Sequence, residues 1–310
     1  MKLTLKICLF LSFFAVSTHG QTLFEFLKVD ASPRSASLAG SFVAASEDPN
    51  IIFYNPAGIA TLKDIPVSFS YIKYLMDVNM AALAASYDFK GIGRFGAGVQ
   101  YINYGSFNEM SEDGIKTGEF HVADFAFTLG YSNILDSNFS YGVNAKFIYS
   151  GIQDRSSTAV AFDLGLLYIF PESNWSFGFS VLNLGNQLKA YYTTKEDLPV
   201  DMRLGFAKQF AAVPLKIYFS FNNMADREDK FLDHFKHYTF GGELRLSKVL
   251  KARLGYDTQI HKDLKIGTTA GLAGLNLGFG ITAGNYLFDY SFSSLGPVGS
   301  LHRFGLSTNL

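Results

Sequence analysis

The sequence predicts an all-β fold, a transmembrane antiparallel β-barrel of about 14 strands with a short N-terminal plug segment. Three observations predict it. After position 64, segments that alternate apolar with small or polar side chains return throughout the chain. Aromatic residues make up 16%, while charged residues are 17%, below the roughly 25% usual for soluble domains. Past position 20, no apolar run approaches the roughly 20 residues that a membrane-spanning helix needs.

Residues 1–20 read as a secretory signal peptide. Lys2 and Lys6 give the positive start, Ile7 to Val16 the apolar core, and Thr18 and Gly20 the small positions before a cut at Gln21. This implies export. The only cysteine, Cys8, lies in that apolar core, so a mature chain has no disulfide and no cysteine ligand or nucleophile. The formal net charge of −1 gives no electrostatic case for nucleic acid.

Residues 21–64 lack the alternation and form the plug or cap segment. Leu23–Val29 is apolar enough for a short helix or strand, and Ser32–Gly40 is small and turn-rich. Asn55 followed by Pro56 suits a cap and first helical position for a short helix through Ala60. A compact segment ahead of the first strand is expected inside the lumen as a plug; the alternative is a cap on the periplasmic mouth. Asn55, Pro56, Ala57 and Gly58 are its candidate motif, with a structural role.

Residues 65–310 form the barrel. The alternating segments run near 65–75, 78–88, 93–104, 120–131, 139–150, 157–170, 175–184, 200–209, 215–222, 237–246, 249–257, 275–283, 286–294 and 301–310. In 139–149, Phe139, Tyr141, Val143, Ala145, Phe147 and Tyr149 share one face, and Ser140, Gly142, Asn144, Lys146 and Ile148 the other. Similarly, Val160, Phe162, Leu164 and Leu166 oppose Ala161, Asp163 and Gly165, and Leu250, Ala252 and Leu254 oppose Lys251 and Arg253. Inward charges fit a wet or plugged lumen better than a dry sandwich core. Long links near 105–119, 185–199, 223–236 and 258–274 alternate with short ones, as extracellular loops alternate with periplasmic turns. An even strand count requires 264–274 to belong to a loop.

No catalytic motif stands out, so no enzyme is expected, and neither is a cofactor. There is no G-x-S-x-G elbow and no phosphate-binding glycine loop. His234 and His237, beside Glu228 and Asp233, read as a solvated loop rather than a metal site.

A resemblance extends this reading. Phe24-Glu-Phe-Leu27, Pro33-Arg-Ser-Ala-Ser-Leu-Ala-Gly40 and Asn55-Pro-Ala-Gly58 resemble the start of the PorV/PorQ family of outer-membrane proteins, distant relatives of the FadL barrels. Phe120–Ala126, Asn183–Lys189 with Leu198-Pro199, and Gly271–Gly280 are most similar to its PorQ branch. Leu38-Ala39-Gly40 stands where that branch carries Leu-Gly-Gly. The resemblance implies an outer-membrane component of the type IX secretion system of Bacteroidetes-like bacteria, a scaffold or shuttle in delivery and surface attachment of cargo. Outer-membrane lipid, attachment-complex proteins such as PorU, PorV and PorZ, and cargo are the partners it implies. The FadL kinship leaves a second function open, a channel for hydrophobic small molecules.

Overall fold

The computed structural model describes residues 23–226, 231–264 and 271–310. The expected signal peptide and the acidic middle of the 223–236 link lie outside the described residues.

Fourteen strands close into one antiparallel barrel. They are β1 (Pro66–Lys73), β2 (Asn79–Phe89), β3 (Gly93–Met110), β4 (Lys116–Asp136), β5 (Phe139–Ile152), β6 (Arg155–Phe170) and β7 (Trp175–Lys189). Then follow β8 (Asp201–Gln209), β9 (Leu215–Phe221), β10 (Tyr238–Arg245), β11 (Leu250–Asp257), β12 (Leu275–Ala283), β13 (Tyr286–Ser294) and β14 (Ser300–Asn309). Each strand pairs with its sequence neighbours, and β1 pairs with β14 from Pro66↔Asn309 to Lys73↔His302. Closure gives every strand a partner on both sides through the barrel wall, which hydrocarbon demands, and the loop-end extensions of β3, β4 and β7 are paired on one side.

The faces follow the sequence alternation. Along β5, Ser140 through Ser150 are buried at every even position, while Val143, Phe147 and Tyr149 point outward and are exposed. Phe127, Leu129, Phe162, Leu164, Phe177 and Leu254 are likewise exposed, opposite buried Asp124, Thr128, Asp163, Ser180 and Arg253. An apolar belt of this size suits lipid rather than water.

One end of the barrel carries only tight turns, such as 137–138, 171–174 and 284–285, and the other carries the long loops at 190–200, 222–237 and 258–274. Two expectations for the long links change. The link expected at 105–119 is mostly strand, because β3 and β4 continue as a paired hairpin to Met110 and Lys116. A hairpin beyond the lipid band has no hydrocarbon face, so its ladder persists while the alternation fades. The 258–274 link contains a short helix, α2 (Thr258–Asp263), capped by Asp257, whose carboxylate accepts the N–H groups of Gln259 (2.8 Å) and Ile260 (3.0 Å).

Residues 23–64 pack inside the barrel. Phe42, Leu38, Ile51, Ile52 and Ile59 are among the most deeply buried side chains of the molecule. The core is therefore the lumen itself.

Candidate functional site

The plug is a run of short helical turns. Three of them start alike: Ser32 caps α1 (Pro33–Ser37), Asp48 caps a 3-10 helix at Pro49–Phe53, and Asn55 caps another at Pro56–Thr61. Each pairs a side-chain acceptor with a proline in the first turn, which needs no N–H there. Helices this short are not stable alone in water. The barrel wall must hold them.

Short turns also leave carbonyls without intrahelical donors. The wall supplies those donors. Ser132 Oγ donates to the Ala57 carbonyl (3.1 Å), Asn144 Nδ2 to Ile52 (2.9 Å), Ser176 Oγ to Ala44 (2.8 Å) and Ser180 Oγ to Tyr54 (2.8 Å). The polar inward positions of β4, β5 and β7 thus face plug backbone. Buried main-chain groups are nearly always paired, and this is how these are paired.

Asn55 is the centre of the docked segment and is fully buried. Its Nδ2 donates to the carbonyls of Val43 (2.7 Å) and of Leu166 in β6 (3.0 Å), and its Oδ1 accepts the Ala57 N–H (3.1 Å). Pro56 starts the helical turn. A Cβ on Gly165 would lie 2.1 Å from Asn55 Oδ1, and one on Gly142 would lie 2.4 Å from the Pro56 carbonyl carbon. Glycine at these two wall positions admits the plug backbone. Ala57 is buried against this wall, and a Cβ on Gly58 would meet Ile51 at 2.3 Å.

A second anchor is ionic. Arg34 Nε contacts Glu243 Oε2 (3.0 Å), Nη1 contacts Asp48 Oδ2 (3.3 Å), and Nη2 donates to the Tyr218 hydroxyl (3.1 Å). Glu243 also takes Arg253 Nε (2.7 Å), and Arg253 Nη1 reaches Asp289 Oδ1 (2.5 Å). Plug and wall therefore share one buried chain of alternating charge. Burial opposes the Arg34 charge, but Glu243, Tyr218 and Asp48 outweigh it and hold its pKa above the ordinary value. Burial pushes the Tyr54 hydroxyl well up, with Asp30 adding to the effect. Deeper in β5 and β6, Lys146 pairs with Asp163 at 2.9 Å and donates to Asn183 Oδ1 at 2.7 Å.

The motif residues Asn55, Pro56, Ala57 and Gly58 stand together against β4, β5 and β6. The Arg34 anchor has no local signal in the sequence. Arg253 was readable as inward from strand parity, and Glu243 lies opposite it across the β10–β11 pair, but Arg34, which shares Glu243, is 209 residues away in sequence.

No protein-family model and no curated protein matches the sequence. Solved structures do match its fold. A Pseudomonas aeruginosa FadL homologue superposes with a TM-score of 0.59 at 11% identity, covering 91% of this chain and 99% of that one. The Ralstonia pickettii toluene transporter TbuX gives 0.58 at 12% identity, over 90% and 98%. The Pseudomonas putida toluene transporter TodX gives 0.56 at 13% identity, over 88% and 95%. The fold is that of an outer-membrane β-barrel. Within that class it is FadL-like, at a distance that carries fold and not function.

Proposed function

We propose that this barrel is a FadL-like outer-membrane channel for a hydrophobic small molecule, held here in a closed state. The observation that supports it is the shared architecture: the chain matches toluene transporters over about nine-tenths of its length. The plug seated across the lumen accounts for the closed state. Passage would require the plug to shift, and its short turns are held by wall contacts rather than by their own helicity. The test is uptake of toluene and of a long-chain fatty acid by vesicles containing the purified barrel. Uptake faster than into empty vesicles supports the reading; equal rates for both solutes contradict it.

A second reading is a scaffold or shuttle of the type IX secretion system, working with attachment-complex proteins and cargo. The order of PorQ-like motifs supports it, and so does the ionic anchor, which suits a plug that stays in place. The fold comparisons favour the channel. A mild-detergent pull-down from the native outer membrane separates the two, since recovery of other secretion components favours the scaffold. Normal surface display of cargo in a deletion strain counts against it. Neither reading calls for a catalytic step.

A further inference from the structure

A second feature lies at the loop end, on the side of the plug away from the turns. A half-open recess of about 340 Å³ sits between the plug, residues 222–223 and 257–263, and the starts of β8 and β14. Its lining mixes charged and polar side chains with apolar ones, Val29, Ile260 and Leu301 among them.

Two guanidinium groups line it. Arg203 is paired, through Nε, with Asp201 Oδ2 at 2.5 Å. Arg303 is different. It is 4% exposed, and its only hydrogen bonds among the described residues go to neutral oxygens, the Asp30 carbonyl (3.2 Å from Nε) and Ser293 Oγ (2.8 Å from Nη1). No described carboxylate is within ion-pair distance of it, and its Nη2 has no described partner. A buried, always-charged fork with a spare edge matches a carboxylate.

Acceptors line the same recess. Asp30 and Asp257 contribute carboxylates, and the amide oxygen of Asn222 is buried without a hydrogen-bond partner. A buried acceptor left unpaired is destabilising. A donor from a ligand would remove that cost. Arg303 and Asn222 thus both border the recess, one with a spare donor edge and the other with an unpaired acceptor.

We propose that this recess binds a small zwitterion of the α-amino-acid type, its carboxylate on Arg303 and its ammonium toward Asn222 and the neighbouring carboxylates. The inference is independent of the hydrophobic-channel reading, because it concerns the groups around Arg303 at the loop end of the plug.

The test is isothermal titration of the full-length barrel in detergent with each common α-amino acid, with acetate and methylammonium as single-charge probes. At least one amino acid is expected to bind, with both probes at least tenfold weaker. Arg303→Gln and Asn222→Ala are each expected to weaken that amino acid at least tenfold. Because Arg303 also touches the plug backbone, each variant is first checked for the heat-modifiable gel shift of a folded barrel; Asn222→Ala removes no hydrogen bond to the plug, its side chain bonding to Thr239, and stands if Arg303→Gln does not fold. No amino-acid binding, acetate binding as tight as the amino acid, or unchanged affinity in a folded variant would overturn the proposal.

Discussion

The side-chain amide of Asn55 donates to the main-chain carbonyl of Leu166, 3.0 Å away and 111 residues later in the sequence. One residue of the plug thereby bonds to the wall's main chain, at a strand position already in register with Tyr141 of β5 and Phe179 of β7. Asn55→Ala removes this bond, the bond to Val43 and the cap on Ala57 together. The expected loss is roughly 2–4 kcal/mol of plug docking. Limited proteolysis should cut the plug faster in this variant, while the barrel keeps its heat-modifiable gel shift.

The wall glycines give a steric counterpart. Gly165→Ala would put a methyl 2.1 Å from Asn55 Oδ1, closer than any real contact. The plug is expected to detach locally, again seen as faster cleavage between residues 40 and 64. Gly242→Ala is the control, since its methyl would meet nothing nearer than Leu215 at 3.9 Å. It should leave cleavage unchanged.

The ionic anchor predicts an asymmetry between buried and exposed pairs. Glu243→Gln leaves Arg34 and Arg253 facing a neutral amide, and removing one partner of a buried pair costs about 3–5 kcal/mol. Lys116 and Glu119, a contacting pair on the exposed hairpin, should matter little, at ~0–1 kcal/mol. Urea midpoints of the folded barrel in detergent measure both.

Ala39 adopts a left-handed backbone with φ of 56° in the turn that follows α1. That conformation costs an L-residue about 1–2 kcal/mol. Ala39→Gly is expected to raise stability by roughly 0.5–1 kcal/mol after the entropy of glycine is counted. A lower urea midpoint for Ala39→Gly would contradict the assignment of strain.

Much of the barrel was legible because lipid enforces the strand period. Phe162, Leu164 and Leu166 must face hydrocarbon, so Asp163 and Gly165 must face inward, and one strand fixes its own orientation. The hairpin at 103–123 escaped that logic. Outside the hydrocarbon, nothing selects which face is apolar, and Gly105 to Met110 reads as loop while it belongs to strand β3, paired with β4. The Asn55 cap was legible as a local signal, because the cap and Pro56 are adjacent. What the cap docks against was not. Gly165 and Leu166 look like any inward–outward pair of a strand, and only the closed barrel brings them to Asn55. The Arg34–Glu243 pair spans 209 residues and leaves no local trace.

The measurement that bears most directly on the plugged lumen is ion conductance across a planar bilayer, comparing the intact barrel with one lacking residues 23–64. The intact barrel is expected to be almost silent, because side chains and plug backbone fill the lumen; the deletion is expected to open a steady, ohmic pore. Equal, steady conductance from both would contradict the account, because the plug would then not be what closes the barrel.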